Sequence, residues 1–212
     1  VDLAVLEHDL VFLAVLLDLM QALQPDPATG KPDPEKMKAF KASHPDNLAQ
    51  AQYLASNNPP ASYASSSYWG IHTFKFIDRK GKATLVRWQF VPQDGERRLS
   101  DDELKTAGAN FLEASLIERT QQGPVRWDMM VSIGQPGDSE TDPTVLWPAE
   151  RPRIKAGTLT IRSAEAQKGA PCEPINFDPL VMAAGIQPSD DPVLRFRSPA
   201  YAVSLGKRLS ER

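Results

Sequence analysis

FDPLVMAAGIQPSDDPVLRFRSPAYAVSLGKRLSER, residues Phe177 to Arg212, is the stretch that decides how this sequence folds. Its second half, SPAYAVSLGKRLSER, reads as a C-terminal helix, with Asp191 in SDDP placed to cap the start. Arg197 and Tyr201 stand four residues apart, a spacing that stacks both side chains on one helical face. A guanidinium can then lie against the phenol oxygen, and a fixed positive charge there favours the ionised phenol. A phenolate is a ligand for ferric iron. The plain alternative is an ordinary surface or packing contact. Arg208 follows Tyr201 by seven residues and falls on the same face two turns later.

Upstream of this stretch the sequence alternates as strands do. His72, Phe74 and Phe76 interleave with Thr73, Lys75 and Ile77, and Asp78 to Gly81 supplies a turn into Thr84 to Val91, so Trp69 to Pro92 is expected as a hairpin. Val125 to Ile133 and Ile154 to Arg162 read as two further strands. Ser100 and Glu103 form a capping box that opens an amphipathic stretch reaching Thr120, and Gly108 weakens its middle, so that one helix and two helices with a break are equally expected. Before the strands, Phe12 to Leu23 has helix-forming composition, and helices are expected over Pro34 to Ala42 and Pro45 to Ser56 after a proline-rich connection.

Four blocks, in order, resemble the haem catalase superfamily, and in particular the small bacterial catalase-related peroxidases. PDPATGKPDPEKMKAF (Pro25 to Phe40) resembles a linker and helix of that subgroup. SSSYWGIHTFKFID (Ser65 to Asp78) resembles its Gly-x-His-Thr-Phe strand, and DPTVLWPAERPRIKAGTLTI (Asp142 to Ile161) its Asp-x-Thr-x-x-Trp-Pro segment. The fourth is the run from Phe177 to Tyr201, ending in Arg-x-x-x-Tyr. Several blocks in the right order are more specific than any single motif.

The resemblance implies an α+β fold: about four C-terminal strands of a catalase-type antiparallel β-barrel, with helices, the last of which carries the haem ligand. It implies that Tyr201 is the metal ligand of haem b, with Arg197 its charge partner. His72 and Asp191 would complete a proximal relay, and Arg208 would bind a haem propionate. Residues 1–212 would be a single catalase-like domain lacking the N-terminal distal half of the barrel. The edges so exposed, expected at the Trp69 to Pro92 hairpin and at Ile154 to Arg162, would invite a second copy or a companion N-terminal segment. The distal motif Arg-x-x-His-Ala-Lys-Gly occurs nowhere in the sequence, which leaves His8 as the only distal candidate; His44, in SHPDN, reads as exposed or as a helix start.

The expected function is therefore haem-dependent decomposition of hydrogen peroxide, or of organic hydroperoxides with a small organic donor. The alternatives are a haem-binding remnant without turnover, a hydroperoxide-rearranging haem enzyme on the same fold, and a lipocalin-like ligand barrel. Composition supports a soluble globular chain: 41% apolar and 24% charged among 212 residues. A net charge of -3 gives no basic field for nucleic acid, and the short clusters Arg97-Arg98, Arg151-Arg153 and Lys207-Arg208 read as solvated faces unless a haem carboxylate claims one. Cys172, the single cysteine, excludes an internal disulfide framework and leaves the compartment open. The apolar opening is interrupted by Asp2, Glu7, Asp9 and Asp18, so no run reaches the ~20 residues a bilayer needs. A start at Val1 rather than Met reads as a processed or incomplete product.

Overall fold

A computed structural model describes residues 17–27, 29–45, 48–166 and 169–210. Two compact units divide between Asn58 and Pro59. In the first, residues 17–22 are helical and α1 (Pro34–Ser43) and α2 (Leu48–Ser56) follow. Asp33 caps α1 by accepting from the Glu35 amide at 2.9 Å, and Pro34 takes the first helical position, where its missing N–H costs nothing. Ser43 and His44 close α1 rather than open the next helix: the Ser43 hydroxyl bonds back to the Ala39 carbonyl, and the His44 ring stacks on Phe40 at 4.4 Å. The first part of the expected Phe12 to Leu23 helix, and His8 with it, lies outside the described residues.

The second unit holds an antiparallel sheet made of β1 (Tyr68–Ile77), β2 (Ala83–Pro92), β3 (Val125–Ile133), β4 (Arg153–Ile161) and β5 (Ile186–Pro188), in the order β4-β3-β2-β1-β5. Between β2 and β3 lie α3 (Asp101–Thr106) and α4 (Phe111–Gln121), with Gly108 in the break, and α5 (Pro192–Ser210) ends the unit. The capping box forms as the sequence implies, Ser100 and Glu103 each accepting from the other's backbone N–H.

The expected four strands thus become five among the described residues. The strand that sequence reading misses, β5, has three residues, too few for alternation to be visible. It also moves the edges. The hairpin is interior to the sheet, because β2 is paired on both sides and β5 covers Phe74 to Phe76 of β1; the edges are β4 and β5.

One face of the sheet buries Phe74, Val86 and Val131 against Leu194 of α5, all but Phe74 with no solvent exposure. Full burial of an aliphatic side chain stabilises by roughly 1.5–3 kcal/mol each, which fixes the first turn of α5 to the sheet. A second cluster, Val125 and Trp127 with Ala64, takes Leu116 from α4.

β1 is not a regular strand. Gly70 pairs with Trp88 and Phe74 with Val86, so Ile71, His72 and Thr73 together face Arg87. Bulges bend a strand and re-aim its side chains, and here His72, Thr73 and Phe74 are all buried. Gly70 is required at the near end: a Cβ there would sit 2.6 Å from the Trp88 indole nitrogen.

Candidate functional site

The site begins where α5 begins. Asp191 Oδ1 accepts from the Val193 amide at 2.8 Å and the Leu194 amide at 3.2 Å, satisfying two N–H groups that a helix start leaves unpaired. Its other oxygen, Oδ2, meets His72 Nδ1 at 2.6 Å. Both side chains are buried, Asp191 1% and His72 4% exposed. One carboxylate therefore caps the helix and orients the imidazole. The bulge in β1 makes this possible by turning His72 towards α5.

Two turns along the helix, Arg197 Nη2 donates to the Tyr201 phenol oxygen at 2.7 Å, with the guanidinium carbon 5.3 Å from the ring centre. This is the i,i+4 contact that the spacing implies. A guanidinium donating to a phenol oxygen stabilises negative charge on it, which suits an oxygen ligand for ferric iron. Ser198 donates to Asp178 Oδ2 at 2.5 Å and ties the same turn to the segment before β5. Lower on the face, Arg208 donates through Nη2 to the Ile175 carbonyl at 2.9 Å, while its Nε is buried with no partner among the described residues. A half-buried cation with a covered, unused N–H is suited to a carboxylate. The donor set on this face thus fits a ferric haem with acidic side groups.

The structure joins the five residues into two pairs and one separate cation. His72 meets Asp191, Arg197 meets Tyr201, and no hydrogen bond among the described residues links the pairs directly. They share α5: its N-cap carries the first pair, and a half-buried face further along carries the second.

Sequence reading missed the support on the opposite face of the sheet, supplied by the connection between β3 and β4. Within it Arg151 grips Asp138 with two hydrogen bonds, Nε to Oδ2 at 2.8 Å and Nη2 to Oδ1 at 2.7 Å. Arg151 is accordingly not on a solvated face, and the Asp138 side chain is almost wholly covered. Together with the Gln135 amide, Arg151 holds the Asp138 carboxyl at about 2, well below the usual carboxylate range. A depressed carboxyl adds stability that is complete above its unfolded value, about 3.9, and is lost as pH falls through about 2. Asp138→Asn should therefore be less stable than the parent at neutral pH, and the gap should close as pH drops from about 4 towards about 2. Urea midpoints of both proteins across that range check this; a gap independent of pH would remove the ion pair as its cause.

Comparison with known proteins adds to this geometry. The sequence profile of the family described as Catalase matches residues 14–212. A catalase-related peroxidase of Synechococcus elongatus is 61% identical over 187 residues, 88% of this chain and 55% of the relative. A catalase-related peroxidase of Mycolicibacterium paratuberculosis is 36% identical over 193 residues, 91% of this chain and 60% of the relative. The chain thus spans somewhat over half the length of these curated relatives. Among solved structures, catalase A from Saccharomyces cerevisiae superimposes with a TM-score of 0.79 at 21% identity, over 92% of this chain and 43% of that one, and a bacterial catalase with 0.78 at 24% identity, over 91% and 40%. Those structures share the α+β architecture built around the antiparallel sheet. With the profile running from residue 14 through α5, the chain belongs to the catalase family, whose members bind haem.

Proposed function

We propose that this chain is the proximal, haem b-binding half of a peroxide-decomposing oxidoreductase of the catalase-related peroxidase type. The observation that carries the reading is the 2.7 Å bond from Arg197 to the Tyr201 oxygen, on a helix whose cap is locked to the buried His72. In this reading Tyr201 would hold the iron through its phenol oxygen. Arg197 would keep charge on that oxygen, and Arg208 would hold a haem carboxylate with its unused N–H. Asp191 and His72 would fix the angle at which α5 presents Tyr201. Bound haem supplies the redox chemistry, reducing one hydrogen peroxide to water while a second is oxidised to dioxygen or an organic donor is oxidised instead. The partners are accordingly hydrogen peroxide, a small organic donor, and the second copy or companion N-terminal segment that would complete residues 1–212 as one catalase-like domain.

The alternative, haem binding without turnover, is not favoured by the peroxidase and catalase relatives, and one experiment distinguishes it from the first reading. Titrating the protein with hemin, then adding peroxide with and without a phenolic donor, separates the two. A saturable Soret band followed by oxygen release or donor oxidation is the expected result. A Soret band with neither product supports the alternative, and no Soret band overturns both.

A further inference from the structure

We propose that Arg87 is a positioning residue for the His72–Asp191 pair: from β2 it pins the bulge that turns His72 towards α5. The proposal rests on the reading of that pair as part of the haem site, and it makes a separate claim about how the pair is held.

The bulge places three residues of β1 opposite Arg87 alone, so the usual ladder cannot hold them. Side chains do so instead. Arg87 Nε donates to Thr73 Oγ1 at 3.0 Å, beside His72 in sequence, and Thr73 Oγ1 in turn donates to the Ser139 carbonyl at 3.2 Å. The same guanidinium reaches the Val145 carbonyl through Nη1 at 2.7 Å, and the Asp142 and Ser139 carbonyls through Nη2 at 3.1 and 3.2 Å. Trp147 lies under it, 4.8 Å from guanidinium carbon to ring centre, and its indole N–H adds a bond to Ser139 at 2.9 Å. One planar cation thus clamps the β3–β4 connection onto the bulge. Arginine suits the position because its donors form a rigid fork directed at several acceptors at once, whereas lysine concentrates its donors on one nitrogen. The main chain completes the clamp where the Ser189 amide donates to the Thr73 carbonyl, two residues before Asp191.

Charge points the same way. Burial lowers the Arg87 pKa, and Asp191, Asp142 and Asp138 oppose that shift. The buried Asp191 carboxylate therefore has a cation acting on it from across the sheet, in addition to its imidazole partner.

The test reads the His72–Asp191 bond itself, in the full chain without haem. An imidazole N–H held by a buried carboxylate gives a slowly exchanging low-field proton signal in 15N-histidine-labelled protein, assigned by its loss in His72→Gln. Thr73→Val removes the hydroxyl and leaves the three carbonyl contacts of Arg87, and Arg87→Met removes the whole clamp. In both, exchange of the His72 proton should quicken by ~10-fold or more, the order of effect expected for one lost buried hydrogen bond. Thr73→Ser should keep the parent rate. The Trp147 indole proton should be unchanged in Thr73→Val, which separates positioning of His72 from loss of the connection. A parent-like His72 exchange rate in Thr73→Val would overturn the proposal, whether or not Arg87→Met folds. Failure of the haem reading appears elsewhere, as the missing Soret band in the hemin titration.

Discussion

Tyr201→Phe is expected to lose iron coordination and keep the fold. The phenol oxygen is the only atom removed, and Tyr201 is half-buried on α5, outside the clusters built on Phe74 and Val125. Its hydrogen-bond partner, Arg197, retains solvent access and its stacking on the ring. Loss of outer partners of a metal ligand lowers metal affinity by ~10–100-fold, so loss of the ligand itself should exceed that range and Arg197→Gln should fall within it. The measurement is a pair of hemin titrations followed by absorbance, with far-ultraviolet circular dichroism as the control for folding. Phenolate charge-transfer bands should be absent in Tyr201→Phe and weakened in Arg197→Gln. A Tyr201→Phe spectrum equal to the parent's would exclude Tyr201 as the ligand.

What could be read in the sequence was what local spacing determines. The Arg197–Tyr201 contact is set by helical geometry alone, so four residues of spacing were sufficient. The capping box at Ser100 and the long strands β2 and β3 are likewise local, and each stands where its residues imply, while the choice between one helix and two around Gly108, open in the sequence, falls to two. The features that escaped are those set by partners distant in the chain. β5 exists because β1 offers it an edge at Phe74 to Phe76, and its three residues carry no pattern of their own. Arg151 looked solvated beside Arg153, yet Asp138 lies across a loop from it and almost covers itself in the contact. Arg87 lies within the strand expected over Thr84 to Val91, and nothing in that run singles it out. Its role depends on the bulge opposite, which moves Thr73 within reach, and no periodicity announces a bulge. For Asp191 the sequence offered a cap or a relay carboxylate, and the structure shows that one side chain makes both contacts, one with each oxygen.

That double use leads to the largest expected stability effect. Asp191→Ala deletes the helix cap, worth ~0.5–2 kcal/mol, and leaves the His72 imidazole buried without its partner, a loss of ~1–3 kcal/mol. The two losses fall on neighbouring groups, and together about 1.5–5 kcal/mol is expected, a large part of the ~5–15 kcal/mol that stabilises a typical domain. Asp191→Asn separates the contributions. Asparagine caps helices about as well as aspartate, and its oxygen can accept from the Val193 and Leu194 amides; the charge facing His72 is gone. Urea unfolding should therefore place Asp191→Asn between the parent and Asp191→Ala. His72→Ala with and without Asp191→Ala then completes a double-mutant cycle, where a coupling near zero would reduce Asp191 to a cap and detach His72 from α5. A coupling of ~1 kcal/mol or more would instead mean that the imidazole and the helix start fold as one unit, so that any shift of His72 is felt in the angle at which α5 presents Tyr201.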